Sequence, residues 1–183
     1  ARAKQAIADI AAIDPATLSK DGKLNREVVL YSLNSGITGQ LKYGIGSTQR
    51  PYRIFQQGGA YFSIPDFLSS SHTIQNAADC EAYLSRLEAF GTALDQDSAL
   101  QKAEAARGYV APDFALELTL GQMAKLRGAA PEASSMAASL ANRAKAAGIA
   151  GDWGTRAAKI IAATVHPALD RQIALVQGLP RRK

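Results

Sequence analysis

Apolar residues recur every four positions in several parts of the sequence, and this spacing constrains the fold more than any other feature. Two such series are Val29, Leu33, Ile37 and Leu41, and Ile161, Val165, Leu169 and Ile173. Residues four apart lie on one face of an α-helix, whereas side chains of a strand alternate with a period of two. The sequence therefore predicts an all-α fold.

Capping residues and helix breakers divide the sequence into about six helices, which we expect to form one irregular bundle over residues 1–183. Asn76 is a favourable N-cap, and Asp79 and Glu81 place negative charge in the first turn, where the helix dipole favours it. We therefore predict that a helix of about thirty residues starts there. Its expected core stripe is Cys80, Tyr83, Leu84, Leu87, Phe90 and Leu94. Pro167 falls inside the last predicted helix, removes one backbone hydrogen bond and should kink the helix near residues 163–166.

Residues 43–72 depart from the helical pattern, and we predict a long irregular segment with one short strand there. Glycines and prolines repeatedly interrupt the segment. Residues 60–64 are expected to be extended, because the residue before Pro65 disfavours the helical region. Long irregular segments are often functional. Two interpretations stay open: Tyr61, Phe62 and Phe67 pack between helices, or the segment forms a functional site.

A helix predicted from about Lys23 has an unusual polar face. Between Glu27 and Lys42 no residue is charged, whereas a solvated helix face normally carries charge. We therefore expect this helix to be central and packed by its neighbours, or to line a polar interior. In the second case, Asn34 and Gln40 would hydrogen-bond a ligand or a neighbouring backbone.

Charge and cysteine content exclude several classes of protein. The formal net charge is +5, but the basic residues are scattered and do not interleave with aromatic residues, so nucleic-acid binding is not expected. No apolar run approaches the roughly 20 residues of a membrane span. Cys80 is the single cysteine, which excludes an internal disulfide; we expect it to be buried on a helix face.

The sequence contains few histidines that could serve as metal ligands or catalytic bases. His72 and His166 are the only histidines, and no His-Glu-x-x-His motif is present, so we expect no zinc site made by this chain alone. Ser71 and His72 are adjacent and cannot easily face each other as nucleophile and base. We therefore predict neither catalytic residues nor metal ligands within these 183 residues.

Several segments together resemble the N-terminal part of a bacterial family, domain of unknown function 885. They are residues 24–33, residues 59–68 followed by His72 and 78–84, residues 111–116, and residues 165–172, in this order and spacing. The resemblance implies a mostly helical, often exported protein of several hundred residues with a zinc-peptidase-like His-Glu-x-x-Pro-Gly-His motif towards its C-terminus. That motif is absent here, so the resemblance implies that zinc belongs to a missing C-terminal part.

The resemblance leads to two hypotheses about function. In the first, the chain is the N-terminal helical portion of a periplasmic or secreted zinc-metallopeptidase-like protein, with the C-terminal remainder as its partner and a peptide as substrate. The expected substrate-cleft residues are Gly59, Ala60, Tyr61, Phe62, Ser63 and Asn34. The segment that begins at Gly59 would pair with the substrate backbone as an added strand. In the second hypothesis, the chain is a non-catalytic helical binding or structural module.

Overall fold

The computed structural model describes residues 2–44 and 50–181, and this part of the chain is helical, as predicted. Its α-helices are α1 Arg2–Ala11, α2 Lys20–Thr38, α3 Ala60–Ser70, α4 Ala77–Ala106, α5 Asp113–Gly128, α6 Ser135–Ala146, α7 Trp153–Ile160 and α8 His166–Gln177. Residues 45–49 of the predicted irregular segment lie outside the described residues. Among the described helices, none is both long and apolar enough to cross a membrane.

The chain divides into two compact units, Ala1–Pro51 and Tyr52–Lys183. The first unit contains α1 and α2, which are joined through a short 3-10 turn. Arg26 of α2 donates hydrogen bonds to the carbonyl oxygens of Ile10, at 3.2 Å, and Ala11, at 2.8 Å. These carbonyls belong to the last turn of α1, where helix carbonyls have no partner within the helix. The Arg26 side chain therefore connects the two helices.

The α2 helix differs from its prediction in both its start and its environment. The Ser19 hydroxyl accepts a hydrogen bond from the Gly22 N–H at 3.1 Å, so the helix begins at Lys20 and not near Lys23. Neither α1 nor α2 has a buried residue, and the prediction of a central, packed α2 is wrong. Two of its neutral polar residues bond to carbonyls of their own helix, Asn34 to Leu30 at 2.8 Å and Thr38 to Asn34 at 2.7 Å, and this needs no burial.

The core of the second unit is built around α4 and α8. The predicted α4 stripe is confirmed: Cys80, Tyr83, Leu84, Leu87, Phe90 and Leu94 are all buried. A π-helical turn at Ile161–Val165 joins α7 to α8, whose second residue is Pro167. The regular α-helix therefore changes to a π-helical turn close to the position where a kink was predicted, since proline has no N–H with which to continue the α-helical pattern.

The predicted strand at residues 60–64 is wrong, because these residues form the first half of α3. The extended preference before proline is a local tendency. Here it is outweighed by the burial of Tyr61 and Leu68, which lie seven residues apart on one helix face. Pro65 lies at the sixth position of α3 and removes a single backbone donor. Of the predicted irregular segment, residues 52–59 and 71–72 lie outside the helices of the second unit.

Candidate functional site

The segment that precedes α3 is attached to one face of α4. Glu104 Oε2 accepts a hydrogen bond from the Arg53 backbone N–H at 2.6 Å, and Gln101 Oε1 accepts from the Ile54 N–H at 2.9 Å. Asp97 lies one turn earlier on the same helix face. Glu104 and Gln101 therefore supply hydrogen-bond acceptors to a stretch of backbone that belongs to no helix, and Asp97 lies beside them.

Asp97 is the most buried acid of this group, with a residue exposure of 4%. Its Oδ1 lies 2.5 Å from Arg53 Nε, and its Oδ2 lies 2.5 Å from the Ala60 backbone nitrogen. A buried carboxylate is costly unless it is paired and hydrogen-bonded. Here one guanidinium and one backbone N–H satisfy it, and the carboxylate connects α4 to the start of α3.

The first residue before α3 explains why this connection is needed. Gly59 has a φ of +99° and no side chain with which to cap the helix. A Cβ at this position would lie 3.3 Å from Asp97 Oδ2, and such a φ is rarely adopted by other residues. Asp97 therefore acts as a cap from a different helix, with its negative charge at the positive end of the α3 dipole.

A tight turn between Phe55 and Gly58 stabilises the segment directly before Gly59. The Gly58 N–H donates to the Phe55 carbonyl at 2.9 Å, and a Cβ on Gly58 would lie 2.1 Å from the Phe55 ring. The Tyr61 hydroxyl lies 2.8 Å from both the Phe55 carbonyl oxygen and Gln122 Oε1. Burial raises the pKa of Tyr61, so its hydroxyl stays protonated and can donate to one of these two acceptors at a time.

The structure places five of the predicted cleft residues on one turn, but gives them different exposures. Gly59, Ala60 and Tyr61 are buried, whereas Phe62 is 42% exposed and Ser63 is exposed too. The Ser63 hydroxyl donates to the Gly59 carbonyl at 3.1 Å. Phe62 and Ser63 are therefore the members of this group whose side chains are available to a ligand, and Phe62 is the apolar one.

Asn34 belongs to the first unit. It is exposed on α2, and its Nδ2 donates to the Leu30 carbonyl at 2.8 Å. Its amide oxygen and remaining N–H are the groups with which it would bind a ligand.

Sequence reasoning did not identify Asp97, Gln101 and Glu104. A signal for two of them was present, because Asp97 and Gln101 continue the helical spacing of the buried Phe90 and Leu94. Polar residues at positions that continue a core stripe must find partners inside the protein. Such a continuation of an apolar stripe by polar residues indicates a buried polar connection.

The comparisons with known proteins give a family. A family model described as "Bacterial protein of unknown function (DUF885)" matches residues 1–183. This chain belongs to the DUF885 family. The search of curated proteins found no match, and neither did the search of solved structures.

At the other end of α3, His72 of this DUF885 chain is buried and bonded at both ring nitrogens. Arg86 lies 2.6 Å from Nδ1, and the Asp79 carbonyl oxygen lies 2.9 Å from Nε2. Arginine can only donate, so Nδ1 accepts and the proton is on Nε2. Arg143 donates to the His72 carbonyl and to the Leu68 carbonyl, the latter at 2.9 Å. His72 therefore stabilises the corner between α3 and α4.

The described residues do not fit a zinc site. No group of three or more His, Cys, Asp or Glu side chains among them could hold a metal ion. Both nitrogens of His72 have other partners. His166 is buried on α8, where burial and then the nearby Arg127 lower its pKa. No step of a reaction can therefore be assigned to zinc bound by these residues.

Proposed function

We propose that this chain is the N-terminal helical portion of a periplasmic or secreted bacterial zinc-peptidase-like hydrolase. In this proposal the C-terminal remainder of the protein is its partner and supplies the zinc site, and a peptide is the substrate. Membership of the DUF885 family and the order of the segments at residues 24–33, 59–68 and 165–172 support it. The chain contributes scaffold and one wall of the substrate cleft.

The observation that carries the scaffold role is the apolar face of α2. Leu24, Val28 and Tyr31 are 59%, 56% and 77% exposed, and their spacing of four and three places them on one helix face. Two helices taken by themselves are too small to bury a sufficient core. Exposed apolar surfaces of this kind are commonly interaction sites. We therefore propose that the C-terminal remainder covers this face.

The cleft wall is assigned to the first turn of α3. Its backbone is helical: the N–H groups of Phe62 and Ser63 already donate to the Gly59 carbonyl, and that of Ala60 donates to Asp97. This backbone cannot pair with a substrate as an added strand, which corrects the recognition mode expected from the sequence. Contact with a peptide would instead use exposed side chains, above all Phe62, which favours an apolar substrate residue.

Peptide hydrolysis by the full-length protein that contains this chain tests the catalytic part of the proposal. Quenched fluorescent peptides that differ at one apolar position would be incubated with the zinc-loaded protein, with and without a zinc chelator. We expect hydrolysis that the chelator abolishes and added zinc restores. If the zinc-loaded protein cleaves none of the peptides, the hydrolase function is refuted.

Two exposed aromatic residues provide a matched test of the wall. Phe62 is 42% exposed on α3 and Phe114 is 65% exposed on α5. We expect Phe62→Ala to raise KM for peptides with an apolar residue at the sensitive position, and Phe114→Ala to leave KM unchanged. Equal KM values for the two variants would refute the assignment of Phe62 to the cleft wall.

The alternative, a non-catalytic helical binding or structural module, is favoured by the same apolar face of α2. It predicts that the remainder binds this face although no peptide is cleaved. Replacement of Val28, which is 56% exposed, by Asp would then weaken the association of the two parts. Asn25→Asp, at an exposed polar position of the same helix that is not assigned to the cleft, is the control.

A further inference from the structure

Asp97 lies on α4 and contacts the first residue of α3, where the proposed cleft wall begins. Its two carboxylate oxygens lie 2.5 Å from Arg53 Nε and 2.5 Å from the Ala60 nitrogen. The Asp97 side chain is 6% exposed, whereas that of Arg53 is 50% exposed. The carboxylate is therefore fixed in the interior of the second unit, where it bonds to the buried Ala60 N–H and to the half-exposed Arg53 guanidinium.

We infer that Asp97 is a positioning residue, which holds the first turn of α3 so that Phe62 faces the substrate. This inference rests on the proposed function. Gly59 cannot cap the helix, so without Asp97 the Ala60 N–H loses its acceptor. An uncapped first turn frays more readily, because several of its N–H groups have no partner within the helix. Phe62 lies within this turn.

The effect of Asp97 is local because two neighbours hold the preceding segment independently. Gln101 and Glu104 accept hydrogen bonds from the backbone of Ile54 and Arg53. Removal of Asp97 leaves both of these bonds in place. The residue therefore controls the start of α3 and not the attachment of the whole segment, which separates positioning from general stability.

The experiment uses the full-length protein and compares Asp97→Ala with Asp97→Asn. Asp95→Ala is the matched control, since Asp95 also lies on α4 and pairs with an arginine, Arg171, at 2.6 Å. We expect Asp97→Ala to raise KM for peptide substrates about tenfold while kcat changes less than about twofold, because the wall contacts the ground state and transition state alike. Asp97→Asn keeps an oxygen acceptor for the Ala60 N–H, so its KM should be only slightly above that of the wild type.

Hydrogen exchange provides a second readout that needs no activity. Amides of residues 60–63 should exchange faster in Asp97→Ala than in the wild type or in Asp95→Ala. An unchanged KM or unchanged exchange in folded Asp97→Ala overturns the inference. If Asp97→Ala does not fold, Asp97→Asn becomes the test: its KM should rise by less than about tenfold, and the amides of its residues 60–63 should exchange faster than those of the wild type. Wild-type KM and wild-type exchange in Asp97→Asn overturn the inference. If the wild type cleaves no peptide, the proposed function fails, and exchange alone decides whether Asp97 holds the turn.

Discussion

Gly91 of α4 gives the sharpest test of how α4 packs against the turn between α7 and α8. A Cβ built on Gly91 would lie 2.9 Å from the backbone carbonyl oxygen of Thr164, in that π-helical turn. It would also lie 3.2 Å from the Thr164 Cβ. The nearest atom belongs to the backbone, so no flexible side chain can move to relieve the overlap. Gly91→Ala should therefore destabilise the second unit.

The magnitude follows from comparison with Gly121, a glycine of α5 whose added methyl group would have no atom within 4 Å. In both helices the change to alanine gains about 0.5–1 kcal/mol of helix propensity. Overpacking at Gly91 costs about 1–3 kcal/mol. The propensity gain cancels between the two variants, so their free energies of unfolding should differ by about 1–3 kcal/mol, with Gly121→Ala the more stable.

Chemical denaturation is the assay. Trp153 is the only tryptophan and lies in α7, so its fluorescence reports on the second unit. Circular dichroism at the same denaturant concentrations would follow the helices. If Gly91→Ala is as stable as Gly121→Ala, the close approach of α4 to the π turn is refuted.

Three further predictions concern α4. Burial raises the pKa of Tyr83 to about 12. In a spectrophotometric titration of the six tyrosines, Tyr83 should therefore ionise last. The stability that the protonated Tyr83 contributes should be lost as the pH rises from about 10 through 12. Burial also raises the pKa of Glu104; wild type should therefore lose stability relative to Glu104→Gln as the pH rises from about 4.5 through that raised pKa, in denaturation series at fixed salt. Leu87→Ala removes a fully buried side chain and should cost about 2–5 kcal/mol in the same denaturation assay.

The helices that the sequence predicts best are those with both a stripe and a cap. The start of α4 is one example: Asn76 and Asp79 form a reciprocal capping box, and the helix extends for 30 residues as expected. The predicted buried stripe follows from the same periodicity. Local rules suffice here because capping, periodicity and burial all favour one structure.

The start of α3 could not be predicted in this way, because its cap comes from a residue 37 positions further along the chain. Gly59 carries no capping side chain, and the residues before Pro65 favour an extended backbone when considered alone. The Asp97 carboxylate and the burial of Tyr61 reverse this preference. The contribution of a distant side chain to a helix start is a tertiary interaction, which local propensity does not contain.

The helical structure of residues 60–63 also changes how the proposed wall would recognise a peptide. An added strand binds through its backbone and is tolerant of sequence, whereas a helix offers only side chains once its N–H groups are bonded. On this turn Tyr61 is buried and Phe62 is 42% exposed. Recognition by the wall would then depend on one apolar contact, so changes in the substrate residue that meets Phe62 should alter KM more than changes in the substrate backbone.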